Sequence, residues 1–397
     1  MLFLVIVSLW FGWPRASLAE AQSGTLILVG DVLRFNQSNV WNRITENAPD
    51  LAIIAAASDR PKLYGEFARR ALERHGAFAE LLPLAVDTAE FGIDYRRAVA
   101  DRALVEKVRE ASGVFFVGGA PQRVAEILIQ ADGSLTPLGR AVAEVHATGG
   151  VIVGGIPGSA GLFTGVDALD VLAGGIVSPT QIHRGLALVP EGWFVDQHAF
   201  SPGRLAEMLV AMHQLDIPRG IGIGADTSAV IDGEELEVIG DEGVLLIDLA
   251  GRRTESRSVD GFGLGGVRLS YLEHGDRFDM STFEIKPAAA KLDGFEIESN
   301  DEDRRVPEHE RPVVVDFLAK GQLLRLLVEA LDGSRREAIG FAFPGNAGGD
   351  ERGFRFRFHS VAETFGWLSV ESGMDRYTIA NIGLDISVVR RQDMPEP

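Results

Sequence analysis

Cysteine is absent from this 397-residue sequence, which removes disulfides, thiolate metal ligands and cysteine nucleophiles together without fixing the compartment. Positive charge is in short supply, with 38 Lys and Arg against 57 Asp and Glu and a formal net charge of −19. Non-specific binding to nucleic acid or to anionic lipid needs a positive field, so neither is expected as a partner. An acidic surface suits cationic ligands, although solubility alone accounts for many acidic proteins. Histidine is scarce at 8 residues, and His183 and His198 have no carboxylate at metal-ligand spacing. The glycine pairs Gly118-Gly119 and Gly154-Gly155 give neither G-x-G-x-x-G nor G-x-x-x-x-G-K-[ST], which speaks against a phosphate loop. No metal and no cofactor is expected. Internal repeats and long low-complexity stretches are missing too.

What remains is a globular composition, 46% hydrophobic and 24% charged, long enough for one large core and a smaller one. Residues 2–13, LFLVIVSLWFGW, form an apolar run followed by small residues in SLA (17–19) and AEA (19–21). This is the layout of a secretory signal peptide over residues 1–21, and it predicts export to the periplasm or the extracellular space. The run falls short of the about 20 apolar residues that a membrane-spanning helix needs. It lacks a Lys or Arg ahead of the apolar core, and a membrane-anchored or buried N-terminal segment is the alternative. With the signal removed, no membrane association is expected.

Further along, GTLILVG (24–30), LAIIAAAS (51–58), GVFFVGG (113–119) and VIVGG (151–155) are short apolar runs ending in Gly or Ser-Asp, as in strands buried on both faces. Between them lie amphipathic stretches at helical spacing: 62–76, closing on Gly76, then 94–111 and 122–147. The alternation predicts an α/β fold with a doubly wound, mostly parallel sheet flanked by helices, and ligands at the carboxyl ends of its strands. From about residue 288 the composition shifts. Residues 289–312 are charged and read as a linker, and 313–397 as a small β-rich C-terminal domain. Within the latter, LAKGQLLRLLVEAL (318–331) fits a helix equally well.

The chemistry candidates are few. In VIVGGIPGSAGLFTG (151–165) a strand runs into a glycine turn and then into Ser159, between small residues. A nucleophile elbow works this way: small neighbours let the chain turn sharply, expose the hydroxyl, and aim backbone N–H groups at an oxyanion. Pro157 stands where the first Gly of G-x-S-x-G would be, so an ordinary glycine turn is the competing reading. For a base, His198 closes the apolar run GWFVDQHAF (192–200) beside Asp196 and Gln197. Such polar residues are costly at a strand end unless they face solvent or a site. A surface or hydrogen-bonded structural histidine is the alternative.

In order, GTLILVG, IIAAAS with Tyr64 following, GVFFVGG with Gln122 and Arg123, VIVGG…SAG, FVDQHAFSPGRL, GIGIGADTSAVI and HGDRFDM resemble the serine peptidases typified by cyanophycinase and dipeptidase E. The resemblance covers residue 24 to about 288 and sets a peptidase domain at 22–288. It implies a class I glutamine amidotransferase-like fold with a serine on an elbow after a central strand and a histidine general base. The implied substrate is a peptide with aspartyl or β-aspartyl bonds. Carried over by position, it makes Ser159 the nucleophile if two residues are inserted ahead of SAG, and His198 the base. Asp226, or Asp196, would orient the imidazole. Gly119 and the amide of Ala160 would be oxyanion donors, and Asp196, Gln197, Arg204 and Gln122 would meet substrate. A homodimer is carried as an open partner state.

The same resemblance exposes departures. Without a gap, Pro157 takes the nucleophile position, Gln122 comes one place late, and Gly224-Ala225 replace an acidic pair. Of the arginines that hold polymer carboxylates in cyanophycinase, only Arg204 is in register, with Pro202 and Glu207 at other positions. Losing bidentate carboxylate partners speaks against ordinary cyanophycin as substrate. The alternative function is a noncatalytic relative that keeps a peptide-binding cleft, its nucleophile position lost to Pro157.

Overall fold

In the computed structural model, residues 23–86, 90–163, 167–254, 261–298, 313–332, 336–344, 351–371 and 373–393 are described. The expected signal peptide, 1–21, lies outside them, as do 299–312 of the expected linker. In chain order the first elements are β1 (Leu26–Val29), α1 (Ser38–Asn47), β2 (Asp50–Ile54), α2 (Pro61–Arg74), β3 (Phe78–Leu81), α3 (Tyr95–Ala98) and α4 (Arg102–Glu110). Next come β4 (Gly113–Phe116), α5 (Pro121–Leu128), α6 (Pro137–Ala147) and β5 (Val151–Val153). The hairpin β6 (Ala160–Leu162) and β7 (Ile182–Arg184) encloses α7 (Ala168–Gly174), and β8 (Trp193–Asp196) and α8 (Arg204–Gln214) follow. A run of strands is then β9 (Arg219–Ile223), β10 (Thr227–Asp232), β11 (Glu235–Gly240), β12 (Val244–Asp248), β13 (Arg253–Thr254), β14 (Leu264–Leu272), β15 (Arg277–Asp279) and β16 (Ile285–Lys286). The rest are α9 (Ala289–Leu292), β17 (Phe295–Glu298), β18 (Val313–Val314), α10 (Gln322–Asp332), β19 (Glu337–Ala342), β20 (Arg352–His359), β21 (Phe365–Glu371) and β22 (Met374–Arg390).

Two sheets organise these elements. The first runs β16-β15-β11-β10-β1-β5-β4-β2-β3. Its strands from β1 to β3 in that order are mutually parallel, and β10, β11, β15 and β16 extend it antiparallel. Alternation along each strand sorts side chains into two cores. Leu26, Leu28, Ala52 and Ile54 face a core shared with α4, α5, α6 and the second sheet, while Ile27, Leu51 and Ile53 face α1 and α2. These strands are apolar throughout because both faces are covered.

The second sheet follows the path β18-β19-β20-β22-β14-β12-β9-β8. Val244 and Leu246 of β12 pack toward the first sheet, whereas Leu245 and Ile247 pack toward α7, α8 and α10. The C-terminal strands are therefore part of this layer: β22 pairs with β14 over Leu264–Tyr271 and with the whole of β20, Arg352–His359. In β20 the Phe-Arg alternation is realised, with Phe354, Phe356 and Phe358 buried and Arg357 ion-paired to Glu337. No described helix is long and apolar enough to cross a membrane.

Several expectations are corrected. The helix read over 122–147 is two helices, because 129–136 forms a turn closed by an Ile129–Leu135 bridge and Thr136 caps α6. Likewise 94–111 breaks where Asp101 accepts from the amides of Ala103 and Leu104, an N-cap restarting the helix. Within the open stretch at 318–331 the helix α10 begins at Gln322, and its buried residues Leu323, Leu326, Leu327, Ala330 and Leu331 fall on one helical face. The described start of the expected linker, 289–298, is folded: β17 pairs with β21, and Lys291 is buried.

The Lys291 ammonium is 2.9 Å from Asp276 Oδ2 and donates to Tyr377 O and Thr378 Oγ1, both also at 2.9 Å. Thr378 Oγ1 donates in turn to the same Asp276 oxygen. All three ammonium protons are thus used, tying the 276–291 segment to β22. Removing one member of such a pair leaves an uncompensated buried charge. Lys291→Met is expected to destabilise the protein by about 3–5 kcal/mol, read as a shifted midpoint in urea unfolding; a change under about 1 kcal/mol would mean the pair contributes nothing net.

Candidate active site

Where β1, β4 and β5 end, the chain leaves a cavity of about 810 Å³, lined by residues of 29–36, 57–68, 115–124, 153–155 and 197–198. Its position follows from topology, since loops leaving the carboxyl ends of parallel strands diverge and leave a crevice. Glycine makes the close approaches possible. Gly119 has φ +148°, and a Cβ there would sit 2.2 Å from Ala57 O. Gly155 has φ +78°, and its Cβ would meet the Phe116 ring at 2.9 Å. No L side chain fits either position without strain.

His198 enters this cavity from the loop after β8. Its Nδ1 lies 3.3 Å from Asp31 Oδ1, with Nε2 on the other side of the ring. Asp31 follows β1 with φ +40°, and its amide donates to Gln197 O at 2.7 Å. Gln197 Nε2 donates to Gly155 O at 3.2 Å. The ends of β1, β5 and β8 are thereby joined around the imidazole.

Behind His198 is a buried ion cluster. Asp196 Oδ1 accepts from the His198 amide at 2.8 Å, while its Oδ2 takes two bonds from Arg204, at 2.9 and 2.7 Å. Arg204 also donates to Glu207 and to the carbonyls of Phe163 and Leu162. Every guanidinium nitrogen is therefore engaged, and Asp196, Arg204 and Glu207 are buried. The substrate-contact role expected of Asp196 and Arg204 is corrected: both side chains are spent on holding the β8 loop and the β6 end. Burial pushes the Glu207 carboxyl up, against the pull of Arg204. Burial would lower the Arg204 guanidinium, but Asp196 and Glu207 outweigh it and raise it.

Ser159 is not among the residues lining the cavity. Beyond Gly155 the chain passes beside 185–189 without regular structure, with the carbonyls of Ile156, Gly158 and Ser159 accepting from the amides of Leu186, Ala187 and Gly185, and that of Pro157 from Leu188. It then enters β6, and the next helix among the described residues begins at Ala168. An elbow needs strand, turn and helix in immediate succession. Here a proline follows Ile156, which disfavours helical backbone at Ile156, so no helix follows the glycine turn directly and Ser159 falls just ahead of β6. Among the described residues, no hydrogen bond joins its hydroxyl to His198. Ala160 pairs with Arg184 in that hairpin, away from the cavity, so its expected oxyanion position is corrected as well.

Of the remaining expected residues, Gly119 and Gln197 line the cavity. Gln122 sits in the first turn of α5 without lining it, its Oε1 buried and without a hydrogen-bond partner. Asp226, φ +51°, does not contact His198. It accepts from the amide of Arg34 at 2.7 Å and from the Arg34 guanidinium, and its own amide donates to Val32 O, so it shapes the cavity rim. The carboxylate beside the imidazole is Asp31 instead. Its signal in sequence was its place after GTLILVG, at the carboxyl end of a central strand. Ser58, Tyr64 and the rings around them also line the cavity. No described cluster of three or more His, Asp or Glu is placed to hold a metal.

The raised Glu207 pKa has a consequence with a definite sign. The folded state holds that proton more tightly than the unfolded chain, so stability is fully present below the ordinary carboxyl pKa and declines as pH rises through the elevated one. Glu273, also raised chiefly by burial, adds a slope of the same sign. Glu207→Gln is expected to flatten the decline of unfolding free energy above about pH 4.5, measured by urea titrations across pH 4–7; an unchanged slope would put the titrating group elsewhere.

No family model matches the chain. It is 30% identical over 245 residues to cyanophycinase of Geminocystis herdmanii, covering 59% of this chain and 84% of that protein. With cyanophycinase of a Nostoc species it shares 27% identity over 259 residues, covering 61% and 79% respectively. Among solved structures, a peptidase from an acI-B1 Actinobacterium is 21% identical with a TM-score of 0.45, covering 65% of this chain and 98% of that one. The chain belongs to the cyanophycinase family.

Proposed function

We propose that this protein is a cyanophycinase-type peptide hydrolase that binds substrate in the cavity at the ends of β1, β4 and β5. The observation that carries this reading is the His198–Asp31 contact at 3.3 Å inside that cavity. A carboxylate beside Nδ1 would hold the imidazole in one tautomer and stabilise the imidazolium that forms when Nε2 accepts a proton. The backbone at Gly118 and Gly119 borders the same space, where an N–H group would stabilise an oxyanion. Parallel strands in the order β1-β5-β4-β2-β3, with helices on both faces, support the class I glutamine amidotransferase-like assignment. Export through a signal peptide at 1–21 belongs to the same reading, as does a peptide ligand with an aspartyl or β-aspartyl bond.

Serine chemistry through Ser159 requires the 156–159 segment to leave its hydrogen bonds to 185–189. That requirement favours a second reading, a relative that binds peptides in the same cleft without covalent catalysis. Turnover of β-aspartyl-arginine polymer and of α- and β-aspartyl dipeptides by wild type, Ser159→Ala and His198→Ala separates the two. The hydrolase reading expects turnover that His198→Ala lowers by about 10²–10⁴-fold, the usual weight of a general base. Turnover that survives Ser159→Ala removes Ser159 as nucleophile. Peptide binding with no turnover in wild type establishes the second reading.

A further inference from the structure

One wall of the cavity is unusually aromatic, and three of its rings are left open. Phe35, from the loop after β1, and Tyr64 and Phe67, one turn apart on α2, are 41%, 44% and 39% exposed. They contact one another: Phe35 meets Phe67 edge to face at 5.9 Å between centroids, and Tyr64 lies 6.2 Å from Phe67. Below them Trp41 stacks on Phe115 at 5.8 Å. A group of large rings held together yet unburied marks a surface meant to be covered, and a concave apolar site with few polar groups is the usual form of a side-chain pocket.

Charge decides what covers it. Arg34 and His198 are the basic residues of the lining, and both already have partners. Arg34 is paired to Asp226 and Asp241, and His198 to Asp31. Asp31 and Asp59 line the same space. Among the lining residues, a carboxylate side chain placed here would find both cations already paired and two acids, a desolvation cost without compensation. The Arg74 guanidinium, beside the rings, lies over the Phe35 ring at 5.9 Å, a contact that an aromatic wall favours. For a cationic side chain, Asp31 is already engaged by the imidazole and Asp59 is exposed to water, while most of the wall is hydrocarbon.

We propose that this cavity is a subsite for a large apolar, preferentially aromatic, side chain of a peptide ligand, with Phe35 and Phe67 setting the preference. The inference rests on the peptide-binding reading above and deepens it: one residue of the bound peptide carries a large aromatic side chain.

The test is equilibrium binding by calorimetry of three hexapeptides that differ only in a central Phe, Arg or Asp, on wild type, Phe35→Ala, Phe67→Ala and Phe67→Leu. The expected result is that the Phe peptide binds wild type at least about tenfold more tightly than the other two, as burial of one aromatic side chain allows. Either alanine variant should lower its affinity about fivefold or more while leaving the Arg and Asp peptides unchanged. Phe67→Leu should recover part of the loss, which a merely misfolded variant would not. Equal binding of the three peptides, or a Phe preference untouched by both alanine variants, overturns the subsite and leaves peptide binding intact. No measurable binding of any peptide overturns the peptide reading, and the subsite with it.

Discussion

Everything at the cavity depends on how the carboxylate of Asp196 is shared. One oxygen receives the His198 amide and the other receives Arg204, so the loop bearing the imidazole is fastened directly to a buried ion cluster. Arg204 reaches in turn to the Leu162 and Phe163 carbonyls, which places the β6 end in the same framework. A buried arginine shared by two carboxylates carries a large desolvation cost, offset here because each N–H finds an acceptor. The result is positional: the backbone at His198 is fastened to the groups behind it, and Asp31 lies 3.3 Å from its Nδ1 in front.

The parallel strands of the first sheet were largely legible in the sequence because their cause is local, whereas the second sheet, which takes in the strands of 313–397, was not. Apolar runs such as LAIIAAAS announce strands covered on both faces, and the FRFRF alternation announces a strand with one buried side. Helix breaks were less legible. At 94–111 and 122–147 the hydrophobic period continues across Asp101 and Thr136, and only the capping side chains reveal that the helix restarts there. The fate of 289–298 was hidden for a different reason. A charged stretch reads as solvated unless its partner is known, and the partners of Lys291 include Thr378 and Tyr377, far along the chain.

At the site, His198 and the glycine turns could be read from strand ends, since that is where an α/β sheet collects its ligand. Their partners could not. Asp31 and Asp226 both end strand-adjacent segments and both adopt left-handed backbone, and nothing in either local sequence distinguishes the one that meets the imidazole from the one that braces Arg34. Pro157 was the informative departure: a residue that restricts its predecessor also decides what the chain can do after the turn.

The pairing of β14 with β22 carries a consequence for how the molecule is made. Strand β14 ends at Leu272 and its neighbour spans Met374–Arg390, so one edge of the second sheet stays open until residues about a hundred positions further along have been synthesised. Contacts of such sequence separation form slowly, and an unpaired edge invites association with other chains. Closure of that edge thus follows the synthesis of β22, and until then the strand is open to pairing with other chains.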